Sequence, residues 1–349
     1  MISSIKLNNF RSHHNLDIDI KNPKVAIIGN NAVGKTNLLE AIYYSFLTKS
    51  FRSKQVSLIN KDEDFLKTSV LYNENKEFKL EYIVQKSPYL KRIIKLNDVT
   101  KKPSEVIGII PVVVFLPDDV RIITDSPDYR RKFLNNILLQ TSNDYLNSLH
   151  SFQKILKQRN QLLYNVKTRN LQNYDQLFVY NLQIAGLIEE IYSYRHELIG
   201  FLNKKLSHYY SKISGVKNQL KLDYLPTLPN NKDEIISWLE KYTPDDIRLG
   251  YTTRGPHKDD FITLLNSENT REGLSRGENR SLVLSLKLIE LDFIKQQNNK
   301  SPILLLDDVL SELDEDRQSH LLESPHARQI FITSTSINSK IDDYQVIKL

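Results

Sequence analysis

One eight-residue segment near the amino terminus limits the folds open to this chain. Residues 29–36 read Gly-Asn-Asn-Ala-Val-Gly-Lys-Thr, which fits the pattern of two glycines separated by four residues and followed by Lys and Ser or Thr. The apolar run 24–28 before it is typical of a buried strand, and the apolar spacing of 37–46 after it is typical of a helix. A glycine loop in that context places backbone amides around phosphate groups. The segment therefore predicts a phosphate-binding loop on an α/β fold.

Each part of this loop has an expected role. The residues assigned to nucleotide binding are Gly29, Asn30, Asn31, Ala32, Val33, Gly34, Lys35 and Thr36. We expect Lys35 to reach the β and γ oxygens of a nucleoside triphosphate and so to act in catalysis. We expect Thr36 to offer its hydroxyl to Mg²⁺.

A second apolar strand ends in two carboxylates. Residues 303–306 are Ile-Leu-Leu-Leu, and Asp307 and Asp308 follow directly. Taken alone, such a pair is more often a helix cap or a turn, but here it shares a chain with a phosphate loop. Nucleotide hydrolysis needs carboxylates for Mg²⁺ and for the attacking water. We assign Asp307 to Mg²⁺ and Asp308 to the water, as the catalytic carboxylate.

A third segment lies between these two. Residues 274–280 read Leu-Ser-Arg-Gly-Glu-Asn-Arg directly ahead of a helical pattern. Ser275 and Gly277 at a helix amino terminus can present amides and the helix dipole to an anion. A plain helix start with a Ser cap would look the same. The order of phosphate loop, Ser-x-Gly helix start and Asp-Asp pair favours anion binding.

Composition excludes several classes of site. The chain of 349 residues contains no Cys, which excludes a disulfide scaffold, a thiol nucleophile and any Cys-ligated metal. Its eight His residues show no metal-ligand spacing, so we expect no transition metal. The longest apolar run, 106–117, is shorter than the roughly 18 residues of a membrane helix. Since the first ten residues do not resemble a signal peptide, we expect a cytoplasmic protein without membrane association.

Basic residues cluster in one predicted β-hairpin. The net charge of +6 permits binding to nucleic acid without requiring it. The candidate DNA-binding residues are Lys86, Lys91, Arg92, Lys95, Lys101 and Lys102 of the hairpin, together with Arg130 and Arg131. Clustered cations release counterions from phosphates, but a solvated strand pair would have the same composition. The two arginines could contact DNA or sense the nucleotide, or simply be exposed helix charges.

The chain alternates strands and helices around a helical region. Ser126 and Pro127 are typical of a helix start, and two long apolar stripes follow, over 146–163 and 177–213. They predict two long paired helices. Residues 1–125 and 248–349 are therefore expected to form an α/β domain, and residues 126–247 an inserted all-helical second lobe.

Taken together, four segments carry a resemblance to a known group. GNNAVGKT at 29–36, LSRGEN at 274–279, ILLLDD at 303–308 and SELD at 311–314 resemble the ABC-type ATPase heads of the structural-maintenance-of-chromosomes group, and within it the RecF family. Asn9-Phe10-Arg11, the run 130–134 and the run 254–260 are similar too. The resemblance covers nearly the whole chain and implies an ABC-type P-loop ATPase head.

The resemblance also implies a function. In that family two heads close around two ATP molecules, so Ser275 and Gly277 would contact the γ-phosphate bound by the other protomer. ATP and Mg²⁺ are the implied cofactors, and an ATP-dependent homodimer is the implied assembly. The implied role is gap repair on double- and single-stranded DNA, with gap junctions as the expected site. Recombinase loading would involve mediator proteins of the RecO and RecR type.

Three positions depart from the pattern of the group. Glu278 stands where the signature usually has Gln, and Asp308 stands where the wider group has Glu. Thr333 or Thr335 stands where a switch His is expected. A shorter carboxylate and a missing His imply slow hydrolysis.

Other functions remain open on the residues alone. A transporter ATPase subunit would carry the same motifs, but there the loop and the signature are usually about a hundred residues apart, whereas Thr36 and Ser275 are 239 positions apart (275 minus 36). An ATPase fused to a nuclease would need more chain than the 35 residues after Asp314 (349 minus 314). A scaffold that binds nucleotide without turnover is a third alternative, against which Asp308 argues weakly.

Overall fold

The computed structural model describes residues 1–52, 55–74, 76–169, 175–270, 273–322, 327–336 and 342–349. Its strands, in chain order, are β1 Ile2–Phe10, β2 His13–Asp19, β3 Lys24–Ile28, β4 Phe65–Asn73, β5 Glu77–Gln85, β6 Lys91–Leu96, β7 Val99–Lys101, β8 Val112–Phe115, β9 Leu220–Leu225, β10 Asp260–Leu265, β11 Glu268–Asn269, β12 Ile303–Leu306, β13 Gln329–Ser334 and β14 Gln345–Lys348. Its α-helices are α1 Lys35–Leu47, α2 Pro103–Val106, α3 Arg121–Thr124, α4 Pro127–Thr141, α5 Asn143–Arg169, α6 Gln176–Ser214, α7 Lys232–Lys241, α8 Thr243–Leu249, α9 Arg276–Asn298 and α10 Glu315–Leu322.

The chain forms two compact units. Unit 1 comprises Met1–Asp119 and Glu290–Leu349, and unit 2 comprises Val120–Ile289. Unit 2 begins close to the predicted lobe boundary at 126 but continues past the predicted end at 247. The reason is that β10 returns to pair with β9 along its whole length, which keeps the chain after 247 in the same unit.

A five-stranded parallel sheet in unit 1 carries two of the predicted motifs, the phosphate loop and the Asp pair. Its order is β14-β3-β13-β12-β8, and every pair in it is parallel. Its central strands are almost continuous apolar runs, as expected for a sheet covered on both faces. Because all strands run the same way, the loops after β3, β12 and β13 meet at one edge of the sheet.

The second sheet of unit 1 is antiparallel, with the order β2-β1-β4-β5-β6-β7. Helix α1 contacts β1, β4 and β5 of this sheet and also β8 and β13 of the parallel sheet, and most of its residues are buried. The predicted hairpin is present: β6 and β7 pair antiparallel around Asn97 and Asp98, which both have positive φ. Two consecutive left-handed residues suit a two-residue hairpin turn.

Unit 2 is built on two long helices, α5 and α6, which pack against each other as the apolar stripes predicted. The predicted lobe 126–247 is helical apart from one strand, β9, which pairs with β10 beyond those bounds in the antiparallel sheet β11-β10-β9. Strand β9 follows α6 and is fixed to it by side chains: Asn203 Oδ1 accepts the Leu222 amide at 2.6 Å, and Ser207 Oγ accepts the Leu220 amide at 2.9 Å. In the described ranges, no helix has both the length and the apolar character needed to span a bilayer.

Candidate nucleotide site and basic surface

The predicted phosphate loop joins β3 to α1, as its sequence context indicates. Gly34 precedes the helix with φ of 110°, in the left-handed region that disfavours side chains. A Cβ at this position would lie 2.7 Å from the His13 ring and 2.9 Å from Ser12 Oγ. The backbone angle and the close neighbours both require glycine, so the second glycine of the motif allows the turn before β2 to pack on the loop.

His13 links that turn to the loop. Its Nε2–H donates to Gly34 O at 3.1 Å, and burial lowers the pKa of the imidazole. Since a neutral imidazole can donate this hydrogen bond to the carbonyl, His13 supports the loop without adding charge. The sequence analysis did not identify this residue.

Lys35 is buried and directed into the loop. Its Nζ donates to Gly29 O at 2.8 Å and to Asn30 O at 3.1 Å. The lysine is thus held by carbonyl oxygens of the loop that it is expected to serve. A cleft of about 150 Å³ opens here, lined by Asn31, Ala32, Gly34, Lys35, Thr36, Asn37, Arg52 and Asp308.

The two carboxylates after β12 reach this loop. Thr36 Oγ1 donates to Asp307 Oδ1 at 2.8 Å, although the residues are 271 positions apart. Asp308 lines the cleft and has φ of 50°. The structure therefore brings together the loop and the Asp pair that were predicted separately.

Thr333 at the end of β13 connects both carboxylates. Its Oγ1 donates to Asp307 Oδ1 at 3.0 Å and accepts the Asp308 amide at 2.8 Å. This is possible because β13 lies between β3 and β12 in the sheet. Of the two positions considered for the switch residue, Thr333 is the one that touches the carboxylates.

Thr36 and Asp307 would be able to hold Mg²⁺ together, because Mg²⁺ binds oxygen ligands. Their oxygen atoms Thr36 Oγ1 and Asp307 Oδ1 already lie 2.8 Å apart, joined by a hydrogen bond. Burial raises the pKa of Asp307, the hydrogen bonds from Thr36 and Thr333 offset this only in part, and a nearby cation would stabilise its charge.

A buried glutamate next to the loop, Glu40 of α1, was missed by the sequence analysis. Its Oε1 and Oε2 accept a bidentate pair from Arg11, both at 3.0 Å, and Oε2 accepts Arg52 Nη2 at 2.9 Å. Burial alone would raise the pKa of Glu40, but the two arginines and Ser50 hold it below its usual range. Two guanidinium groups on one carboxylate leave a net positive charge, and Arg52 brings it to the cleft. Glu40 is the one charged residue in the stretch 38–47, and this is the signal that could have identified it.

The predicted signature segment begins helix α9. The Asn279 amide donates to Ser275 O at 3.0 Å, which makes Ser275 the helix cap. Ser275 is exposed, and a Cβ on Gly277 would meet nothing within 4 Å. This end of the helix is open to solvent, as an anion site requires.

The cations of the hairpin fall into two groups. Lys86 pairs with Asp64 at 3.4 Å, and Lys101 pairs with Glu105 at 3.0 Å. The described residues provide no ion pair for the other four, which are Lys91, Arg92, Lys95 and Lys102. The first two therefore have local partners, whereas the others are available for an external anion.

Strand register extends the basic surface beyond the predicted hairpin. Lys91 and Lys95 share one face of β6, and Lys95 lies opposite Glu81 of β5. Glu81 is bracketed by Lys67 at 2.7 Å and Lys79 at 3.0 Å. Burial alone would raise the pKa of Glu81, but these lysines hold it below its usual range. Three lysines, Lys67, Lys79 and Lys95, thus lie around one acid, and Lys91 lies further along the same face of β6, opposite Gln85.

Arg130 is not a surface residue, and its assignment to DNA binding needs correction. Its side chain is 3% exposed, with Nε 2.6 Å from Asp260 Oδ1 and Nη1 2.7 Å from Asp125 O. Arg131 is also largely covered: its Nη1 donates to Asp259 O at 2.7 Å, and it pairs with Asp128. Both arginines are used within unit 2.

The run 254–260 has a structural role in the same unit. Asp259 is fully buried and accepts from Arg195 Nη1 at 3.0 Å, Tyr224 Oη at 2.7 Å and Thr227 Oγ1 at 2.9 Å. Together with the Asp260 pair, these bonds fix the segment to α4, α6 and β9. The contacts of both aspartates therefore give this segment a structural role.

Comparison with known proteins agrees with this architecture. Residues 1–343 match the model of the RecF/RecN/SMC N terminal domain family. The chain is 36% identical to the DNA replication and repair protein RecF of Agathobacter rectalis, covering 100% of this chain and 96% of that protein. It is 39% identical to the protein of the same name from Clostridium kluyveri, covering 99% and 96%. A solved structure described as the recombination mediator protein RecF with ATP, in the RecFOR pathway, superposes with a TM-score of 0.91 at 30% identity, covering 99% of this chain and 95% of that one. The chain therefore belongs to the RecF family, within the RecF/RecN/SMC N terminal domain family.

Proposed function

We propose that this chain is an ATP-dependent DNA-binding protein of recombinational gap repair, in which ATP closes a homodimer on DNA and slow hydrolysis reopens it. The observation that carries the proposal is the group formed by Thr36, Asp307, Thr333 and Asp308 beside the phosphate loop. It joins a magnesium-ligand pair to a carboxylate that lines the cleft. The DNA replication and repair proteins among its relatives, and the solved RecF structure with ATP, support the same function.

Within the proposed site, each residue has a distinct task. Lys35 and the loop amides hold the phosphates, with Arg52 adding positive charge at the cleft. Thr36 and Asp307 would hold Mg²⁺, which neutralises charge developing on the phosphate oxygens. Asp308 would orient the attacking water, and Thr333 fixes the backbone amide of Asp308.

Hydrolysis in such a site is expected to be slow. Asp308 is one methylene shorter than the glutamate usual in the wider group, and Thr333 supplies no imidazole. Both differences reduce electrostatic support of the transition state. We expect turnover well below the median enzyme value of about 10 per second.

Dimer closure would use the signature of one protomer on the nucleotide of the other. Ser275 and Gly277 lie at an exposed helix start, which leaves room for a phosphate to approach. The lysine face around Lys91 and Lys95 would then bind DNA phosphates. Double- and single-stranded DNA, gap junctions and mediator proteins of the RecO and RecR type are the proposed partners, with the cytoplasm as the site of action.

Sedimentation velocity tests this proposal. We expect a monomer without nucleotide and a dimer with ATP and Mg²⁺, retained on duplex, single-stranded and gapped DNA. Ser275→Arg should bind ATP as a monomer and fail to dimerise, because a bulky cation blocks closure but leaves its own cleft intact. Lys35→Ala should lose nucleotide binding and dimerisation together, while Lys21→Ala, an exposed control, should lose neither. The proposed closure would be overturned if the wild type stayed monomeric at ATP concentrations at which it binds the nucleotide. Normal dimerisation of Ser275→Arg would overturn it as well.

A further inference from the structure

The residue that departs from the usual signature, Glu278, is bonded to the residue expected to bind phosphate. Its Oε2 accepts the Ser275 amide at 2.8 Å, and the Glu278 amide in turn donates to Ser275 Oγ at 3.3 Å. This reciprocal pair is a capping box at the start of α9. The capping box occupies the amide and the hydroxyl of Ser275, which an incoming phosphate would also use.

The carboxylate adds charge to this competition. The hydrogen bonds to Ser275 hold the pKa of Glu278 below its usual range, so the side chain is ionised at neutral pH. The amino terminus of a helix carries roughly half a positive charge, and one carboxylate in the first turn outweighs it. A Gln at this position could accept the same hydrogen bond without repelling a triphosphate.

We infer that Glu278 weakens the grip of the signature on the γ-phosphate in trans and so sets a low affinity for the ATP-closed dimer. This inference rests on the proposed closure. Phosphate binding must displace the carboxylate from the Ser275 amide and bring like charges together. Because a symmetric dimer contains two such contacts, each effect counts twice in the dimer affinity.

Glu278→Gln tests this inference, since it keeps the size of the side chain and an acceptor for the Ser275 amide. Dimer dissociation constants are measured by sedimentation with Mg²⁺ and a non-hydrolysable ATP analogue, so that turnover does not contribute. We expect about 10-fold tighter dimerisation of the variant, from about 3-fold at each of the two sites, and a smaller difference at high salt because salt screens exposed charges. Glu268→Gln removes the same charge at an exposed position of the same unit and should match the wild type.

The outcomes separate this inference from the proposed function. If the wild type dimerises and Glu278→Gln dimerises no more tightly than Glu268→Gln, the inference is wrong and the proposed closure stands. If no protein dimerises although each binds the analogue, both are wrong. If only Glu278→Gln dimerises, the inference is supported, because the carboxylate is then the barrier to closure, and the proposed closure of the wild-type protein is wrong.

Discussion

Thr36 Oγ1 and Asp307 Oδ1 lie 2.8 Å apart across 271 positions of sequence. The contact joins the end of the phosphate loop to the end of β12, although β13 separates β12 from β3 in the sheet. Thr333, on the intervening strand, completes the contact by bonding Asp307 and Asp308. The proposed nucleotide site therefore draws on three strand ends.

Asp308→Asn should stall hydrolysis and leave nucleotide binding intact. The substitution keeps the shape of the side chain and the neighbouring ligand Asp307, but removes the carboxylate that orients water. We expect turnover to fall about 100-fold or more, as for loss of a transition-state contact. The variant should also accumulate as an ATP-bound dimer that leaves DNA more slowly than the wild type, measured by stopped-flow with labelled DNA. Asp62→Asn, at an exposed position, is the charge control. Normal turnover of Asp308→Asn would move the catalytic carboxylate elsewhere.

Thr333→Val should reduce turnover more than nucleotide affinity. Valine fills the same volume but leaves the Asp308 amide without its acceptor and leaves Asp307 with Thr36 but without the Thr333 donor. We expect kcat to fall about 10- to 100-fold, which corresponds to roughly 1.4 to 2.7 kcal/mol. Thr333→Ser restores the hydroxyl and should recover most of the rate. Equal losses in Thr333→Val and Thr333→Ser would show that packing, and not the hydroxyl, is what matters.

Asp307→Asn should stabilise the fold while it abolishes magnesium binding. Burial raises the pKa of Asp307 in the folded protein. At a pH between the usual pKa of Asp and this raised pKa, the carboxyl is protonated in the folded protein and ionised in the unfolded chain. This contribution to stability therefore declines as pH rises through that interval. Asparagine keeps an acceptor for Thr36 and Thr333 without the charge. Thermal unfolding in EDTA from pH 4 to 8 should show that the stability of the variant relative to the wild type increases as pH rises. A constant difference, or a less stable variant at pH 8, would contradict this account.

The lysine face can be tested with two double variants of equal charge. Lys91→Ser with Lys95→Ser removes cations that have no ion pair among the described residues, while Lys86→Ser with Lys101→Ser removes two that pair with Asp64 and Glu105. We expect the first pair to lower the slope of log affinity against log salt by up to about 1.8 on duplex DNA, and the second to lower it less. Equal slopes for both would assign the effect to net charge and not to this face.

Arg130→Met should destabilise unit 2 without a specific effect on DNA. The substitution leaves Asp260 without its arginine and two carbonyls without a donor, as in other broken buried pairs that cost about 3 to 5 kcal/mol. We expect a lower midpoint in urea and an unchanged salt slope for the DNA affinity of the folded protein. A lower slope at unchanged stability would return Arg130 to the DNA-binding residues.

Sequence patterns identified the parts of the site that are contiguous. The loop 29–36, the start of α9 and the Asp pair are short motifs whose chemistry is local, and apolar spacing gave the strands and helices around them. What joins them was not visible, because the pairing of β13 between β3 and β12 brings distant residues together. Thr333 was considered as a substitute for a histidine, but not as a bond to both carboxylates.

The error at Arg130 had a signal that was not used. Positions 130, 133, 134, 137 and 138 of α4 are all buried, and this is the spacing of one helix face. An arginine on that stripe predicts a buried ion pair more directly than a DNA contact. By contrast, Lys67 and Lys79 had no signal along the chain, since only strand register places them beside Lys95.

The ion cluster around Glu40 also constrains how this chain can change over generations. Arg11 and Arg52 both form ion pairs with the carboxylate of Glu40, which is fully buried. Loss of Glu40 leaves two guanidinium groups facing each other, and loss of both arginines leaves an unpaired buried anion, which is a cost that a marginally stable fold rarely tolerates. Loss of Glu40 alone is therefore disfavoured, and a viable path to an arrangement without it passes through a compensating second substitution. Helix α1 thus depends, through Glu40, on Arg11 and Arg52, which lie outside the nucleotide motif itself.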